Sequence, residues 1–351
     1  MAKNNEYRTT DHRPRIFDHS SPWLMVNGKW STVGLFEDNA LSTFRFQYQN
    51  CEVYKQFCDA LKITPQQINS IDRIPFLPVE FYKTHKIISK NISPENHPII
   101  FSSSGTTSQT LSKHYISDIS VYEQSFRKGF EFFYGNLEDY CLLALLPSYL
   151  ERQDSSLVFM VNNLIQKTKN PDSGFYLHNL TELSEKLKYL SGKNQKFILL
   201  GVSYALLDLA EMMNTTFLSE GGIVMETGGM KGKHKEMLRE ELHTVLKKAF
   251  GKNEIHSEYG MTELLSQSYS KGNGLFKCPP WMQILIRDIH DPFHIIENGK
   301  TGGINVIDLA NINSCSFIAT QDLGKLYNDG SFEITGRFDA ADIRGCNLMA
   351  E

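Results

Sequence analysis

The sequence predicts an α/β fold: a parallel sheet with helices on its faces, followed by a smaller β-rich subdomain. Three observations predict it. Residues 141–146, 197–201 and 222–225 are short continuous apolar runs, the pattern of strands buried on both faces. A segment of helical period follows each run, and strand–helix alternation at that spacing produces parallel strands. After residue 275 the helical period stops, and apolar runs at 282–286, 303–309 and 316–318 are separated by Gly, Asn and Asp.

In chain order, residues 1 to about 35 read as irregular, with Phe17, Trp23 and Trp30 packing the segment on the body. Residues 41–63 read as helix, because Phe44, Tyr48, Cys51, Tyr54 and Leu61 recur at helical spacing. Thr64-Pro65-Gln66-Gln67 reads as a helix start, with Thr as cap, Pro in the first turn and Gln reaching back. Ile74-Pro75-Phe76-Leu77-Pro78-Val79 is a rigid apolar connector. Residues 98–101 read as a strand, and 114–116 as a second strand or hairpin arm. Ser120 and Glu123 form a capping box for a helix carrying Tyr122, Phe126, Phe130 and Phe133 on one face. That face reads as core, with an acyl pocket as the second reading. The helices after the three strands run over 155–167, through Ala205, Leu206, Leu209 and Met212, and over 234–250. Asn328-Asp329-Gly330 marks a turn between Leu326 and Phe332. The expected division is an N-terminal helical and irregular segment over 1–95, an α/β nucleotide-binding core over 96–275, the β-rich subdomain over 276–336 and a tail over 337–351.

Composition excludes several classes. The chain has 351 residues, 41% of them hydrophobic, enough for a large core. A formal charge of -4 gives no basic excess, so a nucleic-acid partner is not expected. No apolar run approaches the ~18 residues of a spanning helix, and the N-terminus has no apolar signal core. The six cysteines form no CxxC pair and read as reduced thiols of a cytoplasmic protein. The eleven histidines include no HExxH and no tight Cys/His cluster, so a zinc site is not expected.

Ligands of open α/β sheets sit beyond the carboxyl ends of the strands. Three such ends carry polar turns with glycine. Residues 101–109 read FSSSGTTSQ, a loop whose amides and small hydroxyls suit phosphate, or else a plain surface loop. Thr227-Gly228-Gly229 is the second. The third is Glu258-Tyr259-Gly260-Met261-Thr262-Glu263, where Tyr259 suits a base, Thr262 phosphate and Glu263 Mg2+. The alternative there is a helix start capped by Thr262 and Glu263. Further on, Asp322 in a Thr-Gln-Asp-Leu-Gly segment suits a ribose diol. Gly336-Arg337-Phe338-Asp339 and then Ile343-Arg344-Gly345-Cys346-Asn347 follow. Each piece alone also reads as a β-turn; their joint order is much harder to obtain by accident.

That order resembles the adenylate-forming enzyme superfamily of acyl- and aryl-CoA ligases, luciferases and peptide-synthetase adenylation domains. Within it the chain resembles the acyl-protein synthetases, which supply fatty acids to an acyl reductase in fatty-aldehyde-forming complexes. The added resemblance lies in Pro75-Phe76-Leu77-Pro78, in LLPSYLERQDSSLVFM over 145–160, in METGGMKGKHKE over 225–236 and in RGCN over 344–347. It extends from about residue 40 to the terminus. The strand-end turns also resemble phenylacetate–CoA ligases.

The resemblance implies the N-terminal-domain fold of that superfamily, layered parallel sheets without the usual C-terminal domain. It implies ATP and Mg2+ as cofactors, a fatty or other carboxylic acid as substrate and an acyl reductase as protein partner. Ser103, Ser104, Gly105, Thr106 and Thr107 would cradle the β- and γ-phosphates. Gly228 and Gly229 would line the adenine, with Tyr259 and Gly260 opposite. Thr262 would hold phosphate, Glu263 the metal, and Asp322 and Arg337 the ribose. Two departures stand out. The phosphate loop continues Gln109-Thr110-Leu111-Ser112-Lys113 where the family has Gly-x-Pro-Lys-Gly, and the lysine of the absent domain has no counterpart. Lys113, Lys231 or Lys233 would substitute for it. Cys346, beside Arg344, is the expected acyl acceptor thiol. Two other functions fit the same motifs: a ligase that uses CoA as acceptor, and a catalytically weak adenylate-binding partner subunit.

Overall fold

The computed structural model describes residues 25–26, 29–30, 33–90, 98–104, 110–147, 154–177, 179–213, 218–228 and 237–338. Strands β1 (Met25–Val26) and β2 (Lys29–Trp30) pair antiparallel. Helices α1 (Val33–Asn50) and α2 (Glu52–Ala60) stand where one helix over 41–63 is expected. Cys51 separates them with an extended backbone, φ -104° and ψ 105°, because it bridges to Ser89. A tertiary pairing thus outweighs a continuous helical period. The Thr64 cap also forms, with Thr64 N donating to Gln67 Oε1 at 2.6 Å, but it opens only a single 3-10 turn, Pro65–Gln67.

Next come β3 (Leu77–Pro78), α3 (Phe81–Thr84), and a separate hairpin of β4 (Ile99–Ser102) and β5 (Lys113–Ile116). Helix α4 (Ile119–Tyr134) is capped by Asp118, whose side chain accepts from Ser120 N, and not by Ser120 as the sequence suggests. An Asx cap two residues earlier satisfies the first orphan amides of the helix, that of Ser120 among them. Its Tyr122, Phe126, Phe130 and Phe133 are buried, which bears out the core reading of that face.

The main sheet then grows from β6 (Cys141–Leu145), α5 (Ser156–Thr168), β7 (Gly174–Tyr176), α6 (Leu180–Gly192), β8 (Phe197–Val202), α7 (Ser203–Met213), β9 (Gly222–Thr227), α8 (Arg239–Phe250) and β10 (His256–Tyr259). Strands β7, β6, β8, β9 and β10 lie side by side and parallel. Every residue of β6 and β8 is buried, as their unbroken apolar runs require. Helix α8 starts at Arg239, with Glu241 accepting from Leu238 N at 3.1 Å, and ends at Gly251 in the left-handed region, φ 61°. Helix α6 went unread, although Leu183, Leu187 and Leu190 form its buried stripe.

From β10 the pairing turns antiparallel through β11 (Ser268–Ser270), β12 (Phe276–Lys277), β13 (Met282–Arg287), β14 (Thr301–Asp308), β15 (Phe317–Leu326) and β16 (Phe332–Arg337). The order β13-β14-β15-β16-β12-β11-β10-β9-β8-β6-β7 makes one continuous sheet, with β3 added beside β15. The strand expected at 316–318 runs on to Leu326, and Gly330, φ 78°, turns it into β16. No helix among the described residues is long and apolar enough to cross a membrane.

Candidate active site

Strand β10 ends in the turn that carries Gly260, Thr262 and Glu263. No helix follows Thr262, so the capping alternative for Thr262 and Glu263 fails. A turn without its own ladder must find partners elsewhere for its amides and carbonyls. Here they are buried side chains. Asn311 Nδ2 donates to Glu263 O at 2.7 Å, and His114 Nδ1 donates to Thr262 O at 2.9 Å. Asp308 Oδ2 accepts from Leu265 N and Ser266 N, each at 2.9 Å. Its Oδ1 accepts from Ser266 Oγ at 2.6 Å and Ala310 N at 3.0 Å. Burial pushes the Asp308 carboxyl up to about 6 despite those bonds. Trp281 Nε1 lies 3.0 Å from both Ser125 Oγ and Ser266 Oγ, which ties the turn to α4. Nothing in the sequence reading pointed to Asp308, Asn311 or His114, because none stands in a motif.

Tyr259 is buried between Phe276 and Phe332, with ring centroids 6.1 and 6.0 Å away. Its Oη donates to Asp322 Oδ2 at 2.8 Å. Arg337 Nε meets Asp322 Oδ1 at 3.1 Å, and the two residues face each other directly across β15 and β16. Desolvation, reinforced by the Asp322 charge, drives the Tyr259 hydroxyl well above its ordinary range, so it stays a donor. The Arg337 side chain is largely exposed, while Asp322 is mostly shielded. The three residues predicted to grip one nucleoside are therefore one hydrogen-bonded chain reaching from β10 to the exposed last residue of β16.

The base of the hydroxyl loop joins the same turn. Ser103 N donates to Ser112 O and Ser112 N to Ser103 Oγ, both at 3.0 Å, closing the hairpin. The Glu263 carboxyl is buried, and desolvation raises it, with the nearby Ser112 side chain favouring its charged form. Ser104 and Thr262 are half-buried beside these groups in sequence. Lys113 is exposed on β5, opposite Ser102. Gly228 ends β9 in the left-handed region, φ 70°, where a side chain would be strained, and its carbonyl accepts from Ser203 Oγ at 2.9 Å. Gly105, Thr106, Thr107, Gly229, Lys231, Lys233 and Cys346 lie outside the described residues.

Two neighbouring carboxylates of this sheet end titrate in opposite directions. Burial raises Glu226, but the His243 ring 3.6 Å from Oε1 and the Arg239 guanidinium, Nε 3.1 Å from Oε1, outweigh that and hold it below the ordinary range. No cation among the described residues pairs with Glu258. Burial pushes it up to about 7, against the hydrogen bond from Thr227, and the Glu226 charge adds to the rise. Gly260 leaves it room: a Cβ there would stand 2.6 Å from Glu258 Oε1. A carboxyl whose folded pKa exceeds its ordinary 4.5 stabilises the fold fully only at pH below 4.5 and loses that contribution as pH rises through 7. Glu258→Gln, neutral throughout, is therefore expected to match the parent at pH 4.5 and exceed it at pH 8, by at most on the order of 3 kcal/mol. Urea unfolding at both values checks this; an equal effect at both, or none at pH 8, contradicts it.

Residues 11–143 match the family model described as acyl-protein synthetase, LuxE. No curated protein sequence matches the chain. ATP-bound MatB from Rhodopseudomonas palustris is similar over 68% of this chain and 47% of its own, with 17% identity and a TM-score of 0.52. The 2-hydroxyisobutyryl-CoA ligase complexed with 2-HIB-AMP and CoA is similar over 93% of this chain and 74% of its own, with 13% identity and a TM-score of 0.67. The long-chain-fatty-acid-CoA ligase FadD1 from Archaeoglobus fulgidus is similar over 71% and 53%, with 13% identity and a TM-score of 0.50. The chain thus spans about half the length of MatB and of FadD1. The fold is the mixed α/β fold of adenylate-forming enzymes, as the order of the turns implies.

Proposed function

We propose that this protein activates a carboxylic acid, a fatty acid in the first reading, as its acyl-adenylate and passes the acyl group to a protein thiol for an acyl reductase to consume. The observation that carries the reading is the chain Tyr259–Asp322–Arg337, at the end of the strand whose following turn carries Glu263 and meets the β4–β5 hairpin through His114. It combines a diol grip, a hard-oxygen carboxylate and a hydroxyl loop at the carboxyl end of a sheet, the place where such ligands bind.

A carboxylate is a poor electrophile, because its charge repels nucleophiles. Its oxygen attacks the α-phosphorus of ATP, the bond to pyrophosphate breaks, and the acyl carbon gains AMP as leaving group. The protein's part is alignment and offsetting of charge, and positioning alone supplies up to ~7–11 kcal/mol in favourable cases. Asp322 would accept from the ribose hydroxyls, with Tyr259 and Arg337 holding its two oxygens in place. The Ser103 and Ser104 hydroxyls and the Ser104 amide would face phosphate oxygens. No group of three or more His, Cys, Asp and Glu among the described residues suits a metal ion. Mg2+ on a nucleotide needs only one or two carboxylates beside the phosphates, and buried Glu263 provides one. When bound, the ion would offset charge on the departing pyrophosphate.

The second half-reaction needs a thiolate to attack the acyl carbon and release AMP. Burial pushes every described thiol up, Cys51 and Cys315 included, with Cys58 and Cys278 reaching about 12 and Cys141 about 11. None of the five is a ready nucleophile, which favours Cys346, the sixth cysteine of the sequence, as acceptor. CoA as acceptor is the second reading, favoured by the likeness to the 2-hydroxyisobutyryl-CoA ligase over 93% of this chain.

ATP–pyrophosphate exchange over a panel of fatty and aromatic acids tests the first step, and an acid-dependent signal is expected. Mass spectrometry should then find a hydroxylamine-labile acyl group on Cys346, absent from Cys346→Ser. Exchange with no acid overturns the adenylation reading. Rapid discharge by CoA with Cys346 unmodified replaces the protein thiol by CoA.

A further inference from the structure

We propose that His114 is a positioning residue that sets the Thr262–Glu263 turn against the β4–β5 hairpin, and so fixes the spacing between the phosphate-facing and metal-facing halves of the site. The roles of those halves rest on the adenylation reading; the placement of the turn does not.

His114 lies on β5 opposite Phe101, at the foot of the hydroxyl loop, and is fully buried. Its Nδ1 is 2.9 Å from the Thr262 carbonyl, 148 positions away in sequence. A carbonyl only accepts, so Nδ1 carries the proton. In the neutral ring Nε2 is then the acceptor, and Ser314 Oγ donates to it at 2.8 Å. Burial lowers the His114 pKa to about 4, in keeping with that neutral form. Tyr82 stands edge-on to the ring at 5.4 Å and 83°, which fixes its plane. One rigid side chain thus touches three separate parts of the fold: the hairpin, the site turn and the segment after Asn311. A satisfied core histidine is the plainer account of such bonds. What exceeds it is the partner: the carbonyl of Thr262, whose next residue is Glu263, the carboxylate assigned to the metal.

Asn and Gln separate the two ring nitrogens chemically. The Asn amide nitrogen falls where Nδ1 stands, and that of Gln falls where Nε2 stands. His114→Asn keeps the donor to Thr262, His114→Gln loses it, and His114→Ala loses both. Amide hydrogen exchange of residues 260–266 reads the turn directly, without substrate. We expect parent-like protection in the Asn variant and lost protection in the Gln and Ala variants. In pyrophosphate exchange, the Asn variant should stay within ~3-fold of the parent, and the Gln variant should fall ~10-fold or more. The fall should appear in the Mg2+ concentration needed for half-maximal rate, not in KM for the acid. Should the Ala variant fail to fold, the Asn and Gln pair still decides. Equal protection in Asn and Gln variants, or greater loss in Asn, overturns the proposal. A parent that binds no ATP overturns the adenylation reading instead, and the amide measurement then stands alone for His114.

Discussion

Glu263→Gln is expected to lower ATP–pyrophosphate exchange by ~10²–10³-fold, with no loss of thermal stability. Gln keeps the size of the side chain and an accepting oxygen, and removes only the charge. That charge is a cost to the empty fold, because burial raises the Glu263 carboxyl above its ordinary range. A raised carboxyl contributes its full stability at low pH and loses it as pH rises, so a neutral replacement at pH 8 costs nothing in stability. A bound cation reverses the balance, since it favours the ionised form. Mg2+ affinity in the presence of ATP should therefore rise with pH through the Glu263 titration in the parent and stay flat in the variant. Exchange unchanged in Glu263→Gln would remove this carboxyl from the metal role. A melting temperature that falls in step with activity would make the effect one of folding.

The largest expected effect on stability is that of Asp308→Ala, a loss of about 3–5 kcal/mol. Asp308 accepts from three amides and one hydroxyl in a site with no solvent exposure. Truncation strands those donors, and each buried unmade hydrogen bond costs about 1–3 kcal/mol, reduced where water enters the space. The sign of the pH dependence follows from the raised carboxyl. With a folded pKa of about 6 against an ordinary 3.8, the parent gives up stability as pH rises through 6. The difference between parent and variant is then larger at pH 5 than at pH 8. Denaturant titration at both values measures it. Because Ser266 also lies within 3.0 Å of Trp281 Nε1, the folded variant should show altered Trp281 emission. An unchanged midpoint, or a greater difference at pH 8, would show that the amides of the turn are held by something else.

Much of this architecture was legible before any coordinates. The apolar runs of β6, β8 and β9 read correctly, because a strand covered on both faces must be apolar at every position. Tyr259, Asp322 and Arg337 were named from motif order, and the structure brings them into one hydrogen-bonded chain. The misreadings have local physical causes. Period alone ran helix straight through Cys51, where the bridge to Ser89 breaks it. Two polar residues two positions apart compete to cap α4, and Asp118 wins over Ser120 because its carboxylate reaches the Ser120 amide. Thr262 and Glu263 look like caps in sequence, yet the chain after them bends toward Asp308 and Asn311 in place of coiling.

Burial period, turn chemistry and the order of polar turns are properties of neighbours along the chain, so they can be read from composition and spacing: the α/β class, the parallel core and the residues offered to a nucleotide. Which side chains brace those turns is not such a property. His114, Asp308 and Asn311 act through hydrogen bonds that span 148, 43 and 48 positions. Such bonds exist only once strand order and register have brought distant segments to within 3 Å of each other, and no local pattern carries that distance.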